Sequence, residues 1–162
     1  MTTQPTPATT DGDGDADSEG APAFWPEARA AIDAAPIGFL ATVNQVQPTV
    51  RAVTPTYEGL VAYIATDPNS FKVRNVTTNP LVELLHWTTD FRHVRIRGRA
   101  SLVTDEVTKV RLWDTFSYNL TDFFGAVDSP TYGLLQIEPF RIELSSLERV
   151  ATGKPPEVWR RS

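Results

Sequence analysis

Residues 37–66 read IGFLATVNQVQPTVRAVTPTYEGLVAYIAT, three runs rich in β-branched and aromatic residues divided by short turn-forming clusters. The runs predict strands over Ile37–Val43, Thr49–Tyr57 and Leu60–Thr66, with Asn44 and Pro48 marking the first turn and Glu58-Gly59 the second. Connections this short join antiparallel neighbours, because parallel strands need a crossover of a dozen residues or more.

The same reading continues downstream. Leu81–Thr88 predicts a fourth strand, and Phe91–Val103 a long fifth with the clearest period of two: Val94, Ile96, Ala100 and Leu102 point one way, His93, Arg95, Arg97 and Arg99 the other. Gly98 marks a bend or bulge in it. Tyr132–Ile137 and Phe140–Leu144 predict two last strands, separated by Glu138-Pro139. Short helices are expected after Pro26, over Phe71–Thr78 behind a Ser70 cap, and after a Thr104 cap, where Val107, Val110, Trp113 and Phe116 recur at helical spacing. The sum is a mainly β (α+β) chain of six to seven antiparallel strands with a few short helices, best closed or nearly closed into a small barrel, because closure removes exposed edges.

At 162 residues the chain suits one ordinary core. Residues 1–21 hold Thr, Pro, Asp, Gly and Ala without an aromatic residue, so they read as a disordered acidic tail. Five of the 20 acidic residues lie there (Asp11, Asp13, Asp15, Asp17 and Glu19), so the remaining 15 balance the 15 basic residues, and the net charge of -5 says nothing about a partner of the folded part. A calcium loop beginning at Asp11 would need Gly and Glu where Ala16 and Pro22 stand. Residues 22–148 read as the folded domain and 149–162 as a C-terminal extension, whose end, Gly153–Ser162, is mostly polar around Pro155, Pro156 and Trp159. Without cysteine there is no disulfide, thiolate metal site or Cys nucleophile. No apolar run approaches the ~20 residues that cross a bilayer, and no secretory leader is recognisable, so the expectation is a cytoplasmic protein without membrane or nucleic-acid partners.

Hydrolase and nucleotide-loop motifs are absent. His86, in an apolar run, reads as a structural histidine; His93 stands on the polar face of the arginine strand. Arg95, Arg97 and Arg99 read first as a solvent face paired with carboxylates, second as a polyanion site. The best constellation is Arg51 in a strand, Thr66 at the end of the next, and Ser70 and Lys72 at a helix start. A helix N-terminus offers free N–H groups and partial positive charge, Lys72 a full charge, Ser70 a hydroxyl, and Arg51 a bidentate fork: together, a holder for a terminal phosphate. The same residues also admit a plain helix cap beside a solvated lysine.

Arg51-Ala52-Val53-Thr54-Pro55, Tyr63-Ile64-Ala65-Thr66, Ser70-Phe71-Lys72-Val73-Arg74-Asn75-Val76, Asn79-Pro80 and Leu81–Trp87, in that order, resemble the flavin-binding split-barrel family of pyridoxamine 5'-phosphate oxidase. Ser129–Pro139 is similar to the closing strands of its general-stress-protein branch. The resemblance covers Phe24–Leu144 and implies an antiparallel split barrel, a homodimer, and FMN held in grooves between subunits. Carried over by position, it implies that Arg51, Ser70 and Lys72 hold the FMN phosphate, with Thr66 at the ribityl–phosphate end and Val53 and Thr54 along the isoalloxazine ring. His93 falls where the oxidase branch reaches the flavin with a glutamine, and Trp113 or Trp159 is the expected aromatic contribution of a facing subunit. Thr56 stands in place of the lysine that meets pyridoxal phosphate, and Val158-Trp159-Arg160-Arg161 does not reproduce the oxidase's C-terminal segment, so oxidation of pyridoxamine phosphate is not expected. The resemblance therefore implies an FMN-dependent oxidoreductase with a small-molecule substrate it does not identify. A deazaflavin-dependent reductase and a flavin- or haem-binding stress protein with little turnover are the alternatives.

Overall fold

The computed structural model describes residues 20–162. The expected acidic tail and the excluded calcium loop lie almost wholly outside these residues. In chain order the elements are α1 (Trp25–Ala34), β1 (Gly38–Asn44), β2 (Gln47–Val53), β3 (Thr56–Glu58), β4 (Val61–Thr66), α2 (Phe71–Thr78), β5 (Leu81–Trp87), β6 (His93–Leu102), α3 (Glu106–Leu112), α4 (Thr121–Phe124), β7 (Gly133–Ser145), α5 (Leu147–Ala151) and β8 (Glu157–Arg160). All paired strands are antiparallel, in the order β2-β1-β5-β6-β7-β4-β3, with β8 added to β7. The mainly β antiparallel architecture is the one expected from the strand pattern, and its arrangement is consistent with the split barrel that the resemblance implies.

The strand count differs from the expectation in three places, each for a local reason. The run Thr49–Tyr57 is two strands: Pro55 has no N–H for a ladder and restricts Thr54 before it, so pairing with β1 stops at Val53 and a new pairing with β4 begins at Thr56. Conversely, Tyr132–Leu144 is one strand. Pro139 lies opposite Gly98 at a bulge between Arg97 and Gly98, where an irregular ladder tolerates a missing donor. Gly98 is required there, since a Cβ would stand 2.6 Å from the Glu138 carbonyl oxygen. The polar C-terminus also forms β8, whose Trp159 packs half-buried against the core.

The barrel interior is filled by the inward residues of alternate positions: Leu40, Val82, Leu84, Val94, Ile96, Leu135, Ile137, Ile142 and Leu144 are all buried. Ala28, Ala31 and Ile32 of α1 complete this cluster. A second cluster, Tyr63, Leu112, Phe116, Leu120, Tyr132 and Leu134, sits under the connection between α3 and β7. α3 is capped by Asp105, not Thr104: the Asp105 carboxylate accepts from the Val107 and Thr108 amides at 3.2 and 2.9 Å. It ends at Leu112, so the Val107–Val110–Trp113–Phe116 spacing is not one buried face; Val107 and Val110 point to solvent. The arginine stripe is a paired face where it meets acids. Arg95 Nε and Arg97 Nε donate to the two oxygens of Glu83 at 2.7 and 2.9 Å, and Arg95 also reaches Glu143.

His86 is fully buried and structural. One ring nitrogen lies 2.7 Å from the Ala35 carbonyl oxygen, to which it must donate, leaving the other to accept from the Tyr57 hydroxyl at 2.7 Å. This joins α1, β3 and β5 through one neutral ring. Burial pushes its pKa below the ordinary 6.5, and burial likewise raises that of Tyr57. The unfolded chain takes up this proton near pH 6.5, while the folded protein does so only at lower pH. The stabilising contribution is therefore complete above that pH and is lost as pH falls through it. Urea melts between pH 7.5 and 5 are expected to show stability falling with acid, with a limiting slope of about 1.4 kcal/mol per pH unit for one proton. In His86→Gln that slope flattens; an unchanged slope would assign it elsewhere.

Candidate functional site

The split lies between the two ends of the strand path. β2 and β3 are consecutive in the chain but bond to different neighbours, β1 and β4. A cavity of about 530 Å³ opens there. Ala52, Val53 and Thr54 line it from the end of β2, Ile64 and Ala65 from β4, and Pro36 and Ile37 from the approach to β1. Lys72 comes from α2, and Ser117, Tyr118, Phe123 and Phe124 come from the α3–β7 connection. Among the described residues, Lys72 is the only charged side chain on the wall.

The Lys72 end is built by a chain of polar contacts. Lys72 Nζ donates to Thr66 Oγ1 at 2.7 Å, and the Thr66 and Ser70 hydroxyls are 3.0 Å apart. Ser70 occupies the N-cap of α2, yet its hydroxyl makes no capping bond. No acidic residue stands in the first turn of that helix, so its partial positive charge is not offset locally. Arg51 arrives from β2. Its Nη2 donates to Thr49 Oγ1 at 2.8 Å, and its guanidinium carbon stands 6.0 Å from the Phe71 ring centroid. Its Nη1 is buried without a partner.

Two cations are thus held close together without sufficient counter-charge. Burial and the Arg51 charge push the Lys72 ammonium below its ordinary pKa, against a smaller opposite effect of Asp67. Burial alone lowers Arg51. An unpartnered buried guanidinium N–H, a pair of repelling cations and an open helix N-terminus are what an anion with several acceptor oxygens would satisfy. The donor set fits a phosphate group, and the adjoining apolar wall fits a flat ring system.

The structure therefore joins Thr66, Ser70 and Lys72 by hydrogen bonds, sets Arg51 close enough for its charge to act on Lys72, and lets Lys72 line a cavity to which Val53 and Thr54 also contribute. It places His93 elsewhere. That residue begins β6, opposite Trp87 and Ser145, outside the cavity wall; its ring stacks on Trp87 at 5.0 Å and 9°, and its Nδ1 is buried without a partner. Trp113 packs edge-on to Tyr132 and Trp159 against the core.

Two groups escaped the sequence reading. Asn75 is buried and donates to Thr42 and Thr49 at 3.0 and 3.3 Å, which fixes the hydroxyl that holds Arg51. A buried asparagine one turn behind Lys72 was its only trace. Tyr118, Phe123 and Phe124 lie in an irregular stretch with no period to read.

A family model described as pyridoxamine 5'-phosphate oxidase matches residues 24–146. General stress protein 26 of Bacillus subtilis (strain 168) is 30% identical over 117 residues, covering 70% of this chain and 81% of that protein. The crystal structure of General Stress Protein 26 from Bacillus anthracis str. Sterne superposes with a TM-score of 0.70 at 26% identity, covering 84% of this chain and 97% of that one. Two structures of lower identity share the fold. One is a pyridoxamine 5'-phosphate oxidase-related, FMN binding protein from Nostoc punctiforme PCC 73102, with a TM-score of 0.60, 15% identity, and coverage of 87% and 92%. The other is a heme binding protein from Mycobacterium smegmatis, with a TM-score of 0.67 and 16% identity, covering 86% of this chain and 58% of that chain.

Inorganic phosphate is expected to stabilise the protein beyond sodium chloride of equal ionic strength. At tenfold above its dissociation constant the gain is about 1.4 kcal/mol, a few degrees of Tm. Arg51→Ala abolishes the difference; an equal response to both salts, or to both proteins, would remove the anion site.

Proposed function

The chain belongs to the pyridoxamine 5'-phosphate oxidase family, and from that premise we propose that it is an FMN-dependent oxidoreductase. The observation that carries this reading is the cation pair, Arg51 with its unpartnered Nη1 near Lys72, beside the largely apolar cavity that Lys72 lines. Arg51, Lys72, Ser70 and the amides at the start of α2 hold the phosphate. Thr66, bonded to both Lys72 and Ser70, orients those donors and stands at the ribityl end. Val53 and Thr54 border the ring through backbone and short side chains. The flavin, when bound, supplies the redox chemistry by accepting and donating a hydride equivalent. The protein's part is to bind, orient and exclude water. Among the described residues the cavity wall carries no histidine or carboxylate, only Lys72 and Tyr118 as groups able to move a proton, and hydride transfer requires none.

A homodimer is part of the proposal. Phe39 faces Leu85 across the β1–β5 ladder, and Phe39, Val50 and Trp87 are left exposed on one side of the sheet. A second subunit covering that face would also bring His93, with its free Nδ1, towards a flavin groove between subunits. The haem alternative would have to use His93 as its axial ligand, because both ring nitrogens of His86 are already engaged in the core. A deazaflavin would use the same phosphate cradle.

Titration of the purified protein separates these readings. FMN is expected to bind more tightly than riboflavin, which lacks the phosphate. Arg51→Ala and Lys72→Ala each weaken FMN by about 1–3 kcal/mol, the range for a charge-assisted hydrogen bond, and leave riboflavin nearly unchanged. Unchanged FMN affinity in both variants would overturn the assignment. Mass analysis of the chromophore released on denaturation distinguishes FMN, deazaflavin and haem.

A further inference from the structure

The cavity wall carries two chemistries. Once the cofactor phosphate neutralises Lys72, no charged side chain among the described residues of this chain remains on it. The part contributed by the α3–β7 connection is aromatic. Tyr118 and Phe123 meet edge to face at 5.3 Å and 84°, and Phe123 adjoins Phe124 at 6.5 Å. Phe123 is 68% exposed although it lines the cavity, so a large apolar ring stands at the mouth with much of its surface bare. Such a ring offers a stacking or edge contact to an incoming planar molecule.

This aromatic part is anchored before any ligand arrives. Thr56 Oγ1 donates to the Thr115 carbonyl at 3.1 Å, Thr115 Oγ1 to the Leu112 carbonyl at 2.9 Å, and Tyr132 Oη to the Lys109 carbonyl at 3.1 Å. Thr56 is buried by the first of these contacts. It therefore serves the loop that carries the aromatic wall and cannot offer a cation to a phosphorylated substrate. A charged substrate entering here would lose hydration and gain no counter-charge from this subunit's side of the groove, at a cost an uncharged ring does not meet.

We infer that the second ligand of this site is an uncharged, planar aromatic molecule seated against Tyr118 and Phe123, and not a phosphorylated or carboxylated one. The inference rests on the FMN reading and names the class of molecule that shares the cavity with the flavin. Its test uses a pair matched in shape and differing in charge, 1,4-naphthoquinone and 1,4-naphthoquinone-2-sulfonate. The chain has no cysteine for a quinone to alkylate. Equilibrium dialysis against FMN-loaded protein, without an electron donor, is expected to show the neutral quinone binding about tenfold or more tighter than the sulfonate. Phe123→Ala weakens the neutral quinone by about three- to tenfold, and Phe123→Lys shifts the preference towards the sulfonate. Phe123 is exposed, so neither variant endangers folding. A sulfonate that binds as well as the neutral quinone, or a neutral affinity unmoved by Phe123→Ala, overturns the inference. Flavin absorbance reads FMN occupancy separately. Retained FMN with no preference overturns this inference alone, whereas quinone binding to protein that takes up no FMN overturns the cofactor reading alone.

Discussion

Arg51 and Lys72 repel one another, and the fold holds them together regardless. Neither cation is there by accident of a flexible surface. Arg51 is tied through Thr49 to Thr42 and the buried Asn75, and Lys72 through Thr66 to Ser70. Each tie is a neutral hydroxyl or amide, which positions a charge without neutralising it. A carboxylate at any of these places would have made a stable ion pair and no binding site. The arrangement is strained electrostatically and relaxed sterically, the condition of a site that gains most when its ligand supplies the missing charge.

The contrast with the arginines of β6 supports this. Arg95 and Arg97 are as cationic as Arg51, but Glu83 lies between them with a hydrogen bond to each. Those contacts hold the Glu83 carboxyl below its ordinary pKa. That network is satisfied and has no demand for an anion. One chain thus presents the same residue type in two states, and the carboxylate beside it decides between them.

The seam and the site have a single origin. Pro55 interrupts the strand that begins at Gln47, and the chain changes partner from β1 to β4 at that step. The residues just before the break, Ala52 and Val53 at the end of the β1 ladder and Thr54 beyond it, then line the cavity that opens where the two ladders part. Much of this was legible in the sequence, since the antiparallel strands, the α2 boundaries, the structural role of His86 and the cluster of Arg51, Thr66, Ser70 and Lys72 follow from local pattern. What was not legible depends on partners distant in the chain. Pro139 reads as a strand break until Gly98 is seen opposite it, and Glu157–Arg160 reads as a polar end until β7 is available to pair with it. The hydroxyl of Ser70 reads as a cap because its sequence position is that of a cap, but Thr66 competes for it. Val107 and Val110 keep helical spacing without burying it, because α3 packs through Leu112 and no element covers its other side.

The cationic and aromatic parts of the cavity wall also differ in what carries them. Arg51, Thr66 and Lys72 stand on β2, β4 and α2, elements whose Val53, Ile64 and Val76 belong to the core, while the Arg51 and Lys72 side chains themselves stay outside it. The aromatic part is made by the connection between α3 and β7, which is bonded to β3 through Thr56 and packs through Tyr118 and Phe124 on the second core cluster. Its cavity-facing rings are not part of any ladder, and Phe123 touches solvent over most of its surface. Of these rings Phe123 is the one that can change without disturbing the cluster on which Tyr118 and Phe124 pack. On the proposed reading, one barrel would keep its phosphate-binding cluster while exchange at that position presents a different wall to the second ligand.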